Sequence, residues 1–130
     1  MRLVFMGTPE FAVAALSALY EAGHTIAGVY TRMDMPKNRG MKLQPPPVKQ
    51  YALEKGLPVF QPKGLRRPEV QEQLAALEPE VIVVAAYGRI LPQRVLEMPK
   101  YGCINIHASL LPAYRGASPI NACILHGEQE

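Results

Sequence analysis

The segment Val81-Ile82-Val83-Val84-Ala85-Ala86, VIVVAA (81–86), is apolar at every position. A strand with one face in water alternates apolar and polar residues, whereas a strand that is apolar throughout is buried on both faces. Burial of this kind is typical of a parallel sheet covered by helices on each side. The segment therefore predicts a central strand of an α/β fold.

Further strands and helices are predicted on either side from short apolar runs and from helical spacing of apolar residues. The predicted strands are Arg2–Met6, Thr25–Tyr30, Pro58–Phe60, Val81–Ala86 and Cys103–His107. The predicted helices are a first one capped by Thr8 and stopped by Gly23, then Val48–Lys55, Pro68–Leu77, Pro92–Met98 and Ser118–His126. This alternation predicts an open, doubly wound, mostly parallel α/β sheet, whose ligands sit beyond the carboxyl ends of its strands.

Composition limits the class of protein. The chain has 130 residues, of which 48% are hydrophobic and 19% charged, with a net charge of +3, as expected for one globular domain. No apolar run reaches the length of about 18 residues needed for a membrane span. Cys103 and Cys123 form no metal-binding spacing, so we expect reduced thiols in a cytoplasmic protein and no metal site.

The turn after the first strand is where a dinucleotide-binding fold carries its glycine fingerprint. Gly7-Thr8-Pro9-Glu10-Phe11-Ala12 has Pro9 and Ala12 where the dinucleotide fingerprint has glycines. The sequence therefore disfavours a plain NAD-binding domain.

The segment Asp34–Pro47 contains four prolines and one glycine and shows no periodicity, which predicts a long loop. The basic residues in and around it are Arg32, Lys37, Arg39, Lys42 and Lys49. Charge alone leaves a solvated loop and a nucleic-acid contact equally open. A loop of this length inside a compact domain favours a function.

Asn105 and His107 are the polar residues of an otherwise apolar strand. Because side chains alternate along a strand, these two share one face, and Ile104 and Ile106 share the other beneath a helix layer. Two hydrogen-bond donors on one face can hold the oxyanion of an acyl-transfer intermediate, and imidazole can move a proton near neutral pH. The alternative is a satisfied polar pair that bridges the strand to a loop.

No serine-nucleophile motif accompanies this pair, since the G-x-S-x-G pattern is absent. Ser109, the nearby hydroxyl, follows the histidine in a Leu-Leu-Pro turn. The sequence therefore predicts direct transfer between two bound substrates. An amine nucleophile would lose its proton to His107.

The run Asn105–Pro112, followed by Tyr114–Ala117 and Pro119-Ile120, resembles the signature of the 10-formyltetrahydrofolate-dependent formyltransferases. The resemblance extends over essentially all 130 residues. It implies a Rossmann-like N-terminal domain over residues 1–130 that binds folate and is catalytic, with Asn105 and His107 stabilising the tetrahedral intermediate and moving the proton of the amine. It also implies that 10-formyltetrahydrofolate, the formyl donor, is bordered by two segments, Tyr87, Gly88, Arg89, Ile90, Leu91 and Ser109, Leu110, Leu111, Pro112.

Gly7–Ala12 and Ala86–Pro92, with the loop Asp34–Lys49, narrow the resemblance to members that act on initiator methionyl-tRNA in translation initiation. The loop is then expected to meet the acceptor end of the tRNA through Lys37, Arg39 and Lys42. Rival acceptors are glycinamide ribonucleotide and a sugar nucleotide, which the basic loop disfavours. A folate- or nucleotide-binding module without catalysis is a further alternative.

The family's site also contains an Asp, which lies beyond the His. No Asp follows His107 in this sequence. We therefore expect an incomplete N-terminal domain without the catalytic Asp and without a C-terminal tRNA-binding domain. Such a fragment is expected to be nearly inactive and prone to self-association, and its oligomeric state stays open.

Overall fold

The computed structural model describes residues 1–37, 42–108 and 120–125. Four helices lie within these residues, namely Glu10–Glu21 (α1), Pro47–Glu54 (α2), Pro68–Ala76 (α3) and Gln93–Glu97 (α4). The strands are Arg2–Gly7 (β1), Thr25–Tyr30 (β2), Met35–Lys37 (β3), Lys42–Gln44 (β4), Val59–Phe60 (β5), Val81–Ala85 (β6), Cys103–Ala108 (β7) and Ile120–Leu125 (β8).

One six-stranded sheet in the order β5-β2-β1-β6-β7-β8 forms the centre of the described structure. Its neighbours pair in parallel except for β8, which runs antiparallel to β7. The chain begins at the middle of the sheet, winds outward to β5, and then returns to β6 on the other side of β1. This is the predicted doubly wound topology, and its direction reverses between β1 and β6, where such sheets place their ligands.

Both faces of the sheet are covered by apolar side chains. Leu3, Phe5 and Val83 pack with helices α1 and α2 on one face, whereas Val4 and Ile82 pack with α3 and α4 on the other. Every residue of β6 is buried, which confirms the interpretation of VIVVAA for residues 81–85, whereas Ala86 lies beyond the strand and is exposed. Burial of one such side chain contributes roughly 1.5–3 kcal/mol, so this strand is a main source of the stability of the fold.

The start of the first helix differs from the sequence prediction. Helix α1 begins at Glu10 with Pro9 as its N-cap residue and no side-chain cap hydrogen bond, so the prediction that Thr8 caps it is wrong. The Thr8 hydroxyl instead donates to the carbonyl oxygen of Tyr87, 2.9 Å away. The Thr8 side chain thus bonds the loop that follows β6 and does not cap helix α1.

The segment predicted as a structureless loop contains a hairpin. Strands β3 and β4 pair antiparallel through Met35–Gln44, Pro36–Leu43 and Lys37–Lys42. The loop prediction is therefore wrong for these two strands, while Arg39 lies outside the described residues. Three-residue strands are too short to show periodicity, and Pro36 is tolerated because a two-stranded hairpin has open edges on both sides.

The helix predicted over Ser118–His126 is also wrong where it is described. Ile120–Leu125 forms β8, which pairs antiparallel with β7. The register runs from Cys103 opposite Leu125 to Ala108 opposite Ile120. A short apolar run cannot be assigned to helix or strand by periodicity alone, and here the edge of β7 offers unpaired backbone groups. Ser118, Pro119 and His126 lie outside the described residues.

Candidate functional site

A cavity of about 360 Å³ opens at the carboxyl ends of β6 and β7. It is lined by residues from α1, from the loop after β6 and from β7, namely Phe11, Val84, Ala86, Tyr87, Gly88, Arg89, Asn105, Ile106 and His107. The structure thus brings the predicted catalytic pair and the first half of the predicted folate segment to one place. Phe11 also lines it, although the sequence had indicated only a place on a helix face.

Asn105 and His107 meet on one face of β7. The Asn105 side-chain nitrogen Nδ2 donates to His107 Nε2 at 2.8 Å. An amide nitrogen can only donate, so Nε2 is the acceptor in this arrangement. Ile104 and Ile106 pack against the α1 face of the sheet, as expected from strand alternation. An amide nitrogen has two hydrogens, so a second N–H of Asn105 can serve a bound oxyanion.

Thr8 lies at the point where the strand order of the sheet reverses. Its hydroxyl oxygen donates to the carbonyl of Tyr87 at 2.9 Å and accepts from the backbone N–H of Arg32 at 3.2 Å. Its own carbonyl accepts from the backbone N–H of Val48 at 3.3 Å. One residue thereby connects the exits of β1, β2 and β6 with the start of α2.

The loop after β6 is shaped by backbone conformation. Gly88 has φ of +89°, and a Cβ placed there would lie 2.5 Å from Cδ of Arg32. The left-handed conformation favours glycine, and the arginine side chain would have to shift to admit a Cβ. Ile90 is 70% exposed, whereas Leu91 packs against the core on the α3 and α4 side. The loop therefore presents an apolar side chain to solvent.

Tyr87 anchors this loop in the core. Its side chain is buried, and burial raises the pKa of its hydroxyl to about 12. Tyr30 lies in the same core cluster, and its pKa is raised by burial and by the neighbouring Tyr87. Both phenols are therefore neutral at physiological pH and fix the loop through packing.

A larger cavity of about 800 Å³ lies beyond β2, β5 and β6. Its basic lining residues are Lys63, Arg66, Arg67 and Arg89, against the single acid Glu69, whose carboxylate is 3.9 Å from Arg67. Gly88 and Arg89 line both cavities, so the two adjoin. The segment after β5 was not predicted as part of a site, and its position at a strand end is the signal that could have found it.

The structure divides the basic residues of the 32–49 region. Lys42 is exposed on β4, and the backbone of Lys37 lies opposite it on β3. Arg32 instead lies against Gly88, and Lys49 forms an ion pair with Asp34 at 3.1 Å. Only part of the predicted basic set is thus available on the hairpin.

Ser109, Leu110, Leu111 and Pro112 lie outside the described residues. Among residues 1–37, 42–108 and 120–125, no three His, Cys, Asp or Glu side chains group to hold a metal ion. No helix within those ranges has the length and apolarity to span a membrane.

The doubly wound, mostly parallel sheet makes this chain an α/β protein with an amide–imidazole pair at the carboxyl end of β7. A sequence model of the formyl transferase family matches residues 1–130, and the chain belongs to that family.

Among curated relatives, the methionyl-tRNA formyltransferase of Methylococcus capsulatus is 59% identical over 130 residues, which are 100% of this chain and 42% of that protein. The methionyl-tRNA formyltransferase of Trichlorobacter lovleyi is 57% identical over 129 residues, which are 99% of this chain and 41% of that protein. The chain thus spans less than half the length of these relatives.

Among solved structures, the phosphoribosylglycinamide formyltransferase of Anaplasma phagocytophilum matches with a TM-score of 0.65 at 18% identity, covering 100% of this chain and 66% of that one. At this identity the likeness establishes the fold alone.

Proposed function

We propose that the protein transfers a formyl group from 10-formyltetrahydrofolate to the amino group of initiator methionyl-tRNA. The observation that carries the proposal is the Asn105–His107 pair, hydrogen-bonded at 2.8 Å in the cavity that Tyr87–Arg89 also lines. The similarity to methionyl-tRNA formyltransferases over the whole chain supports the choice of acceptor.

The pair can perform the two tasks of the transfer. The amine nitrogen attacks the formyl carbon, a C–N bond forms, and the carbonyl oxygen becomes an oxyanion that an N–H of Asn105 can stabilise. The imidazole of His107 can take the proton that the amine loses. The same proton can then pass to the departing N10 nitrogen as its bond to the formyl carbon breaks, so the enzyme ends in its starting state.

The two adjoining cavities fit the donor. The smaller one is lined by Tyr87–Arg89 and by the catalytic pair, so a flat ring bound there would lie beside the loop after β6. The larger one continues from it with four basic side chains, which complement the carboxylates at the other end of a folate. We propose that Tyr87–Leu91 borders the donor there, and that Ser109–Pro112 forms the other border.

The hairpin fits the acceptor. Lys42 is exposed on β4 and Lys37 lies on β3, while Arg39 falls between them in the sequence, outside the described residues. We propose that these three residues contact the acceptor end of the tRNA. Phosphate contacts release counterions, so each one lost should reduce the salt dependence of binding by about one unit of slope.

A comparison of acceptors tests this function in the complete gene product. Initiator methionyl-tRNA, glycinamide ribonucleotide and a sugar nucleotide amine are each supplied with 10-formyltetrahydrofolate, and formyl transfer is measured. We expect transfer to methionyl-tRNA at a kcat/KM at least 100-fold above the other two, by analogy with sites that recognise a whole acceptor. Equal or greater transfer to either small acceptor would overturn the assignment.

A further inference from the structure

The hairpin of β3 and β4 is tied to the body of the protein at its root. Asp34 immediately precedes β3, and Lys49 lies on α2, which follows β4. The Lys49 ammonium lies 3.1 and 3.3 Å from the two carboxylate oxygens of Asp34. Gln61, just after β5, donates its side-chain N–H groups to Asp34 Oδ1 at 2.7 Å and to the carbonyl of Arg32 at 3.0 Å.

We propose that Asp34, Lys49 and Gln61 form a root clasp that positions the hairpin for the acceptor. The proposal rests on the proposed function, because it gives the hairpin its role in acceptor binding. These are positioning residues, since they act through the hairpin and away from the reacting atoms.

The hairpin needs such an anchor because little else holds it. It has two strands and three residue pairs, and an isolated hairpin of this size is marginal in water. Met35 and Leu43 are 57% and 65% exposed, so apolar burial does not fix it against the sheet. Its orientation must therefore come from the segments at its two ends.

The clasp is suited to this task. The side chains of Asp34 and Lys49 are only 27% and 21% exposed, so salt screens their attraction less than that of a fully exposed pair. The Gln61 amide and the Lys49 ammonium hold the pKa of the Asp34 carboxyl below its usual value. Asp34 is thus a negatively charged hydrogen-bond acceptor at physiological pH. It joins the segment after β2 to α2 and to the segment after β5.

A hairpin held in its binding orientation pays less conformational entropy when the acceptor binds. Loss of the clasp should therefore raise KM for the tRNA and leave the chemical step unchanged. None of the three clasp residues lines the cavity that contains Asn105 and His107, so kcat at saturating tRNA should be preserved. Gln61 does line the larger cavity and is therefore left unchanged in the test.

The test uses the complete gene product with Asp34→Asn and Lys49→Met, which remove each charge at nearly constant size. Lys49→Arg keeps the cation and should rescue the effect. Glu54→Gln, on the exposed face of α2, and Lys100→Met, at the opposite end of the sheet, are matched controls for one lost charge of each sign. Formyl transfer to methionyl-tRNA, equilibrium folate binding and the rate of trypsin cleavage after Lys42 are measured for each.

We expect Asp34→Asn and Lys49→Met to raise KM for methionyl-tRNA about 5- to 20-fold, the effect of losing a charge-assisted hydrogen bond. Trypsin cleavage in the hairpin should speed up by a similar factor, whereas kcat and folate binding of these two variants should stay within about twofold of the wild type. For Lys49→Arg and both controls, every measured value should stay within about twofold of the wild type. An unchanged KM together with unchanged cleavage would overturn the clasp. An equal fall in kcat and folate binding would also overturn it, since it would show a general loss of structure.

The two proposals fail in different ways. If the wild-type protein formylates no methionyl-tRNA, the proposed function fails, and the cleavage rates alone decide whether the clasp holds the hairpin. If the wild type is active and only cleavage changes in the variants, the clasp holds the hairpin but does not position it for the acceptor, and the inference is overturned.

Discussion

Asn105 Nδ2 donates to Nε2 of His107 across 2.8 Å, on the face of β7 opposite the packed side chains of Ile104 and Ile106. This arrangement makes the amide and the imidazole one unit. The hydrogen bond orients each of the two side chains relative to the other. Each side chain should therefore depend on the other during formyl transfer.

Asn105→Ala in the complete gene product should lower kcat about 10²- to 10³-fold, the usual cost of one lost oxyanion donor. His107→Gln should lower it about 10²- to 10⁴-fold through loss of the proton acceptor. Steady-state formyl transfer, with folate binding measured separately, checks both values.

The double variant should lose far less than the product of the two single losses, because the two side chains act together. Gln73→Ala, an exposed amide on α3, is the matched control and should be silent. Normal turnover in either single variant would instead support a folate-binding module without catalysis.

Thr8 should hold the loop after β6 in place. Thr8→Val keeps the shape of the side chain but removes the hydroxyl that bonds the Tyr87 carbonyl and the Arg32 N–H. We expect folate affinity to fall about 5- to 20-fold, since two partly buried backbone groups lose a partner at roughly 1–3 kcal/mol each before relaxation. Isothermal titration with a folate analogue measures the change. Thr8→Ser, which retains the hydroxyl, should bind like the wild type.

Gly88→Ala should destabilise the protein for two separable reasons. The left-handed conformation at φ +89° costs a residue with a Cβ about 1–2 kcal/mol, and the collision with Arg32 adds to it. Gly56→Ala isolates the first cost, because Gly56 has φ of +71° and no atom within 4 Å of its would-be Cβ.

Urea unfolding should therefore rank Gly88→Ala below Gly56→Ala in free energy of unfolding. Adding Arg32→Ala should bring the Gly88→Ala variant back towards Gly56→Ala. If both glycine variants lose the same amount, the close approach of Arg32 does not constrain the loop.

Stability should fall in alkaline solution. Burial raises the pKa of the Cys103 thiol from 9.0 to about 12 and that of the Tyr87 phenol from 10.0 to about 12. The unfolded chain therefore releases these protons at lower pH than the folded one. Their contribution to stability is complete below about pH 9 and is lost as pH rises towards 12.

Urea midpoints measured from pH 7 to 11 should be level to about pH 8.5 and then decline. In Tyr87→Phe and Cys103→Ala the decline should be shallower because one titrating group is gone. A slope identical to that of the wild type in both variants would show that these groups titrate normally in the fold.

Much of the sheet was predictable because burial on two faces leaves a local pattern. VIVVAA identified β6 as a central strand, and each other strand of the parallel part was predicted within about a residue or two at either end. The hairpin and β8 were not predicted, since their antiparallel pairing depends on a partner strand that no local pattern records. Likewise, the Thr8 hydroxyl could serve a local cap or a distant carbonyl, and only packing chose between them.

The sequence by itself determined which side chains share a face, since alternation along a strand is a property of the local backbone. That placed Asn105 with His107 and indicated a site at the strand end. Tertiary structure decided the neighbours: parallel pairing of β6 with β7 brought Tyr87–Arg89 to the pair, and Gln61 came to Asp34 across 27 residues. Such contacts arise from which strands pair and in what register, and that depends on the packing of the whole sheet.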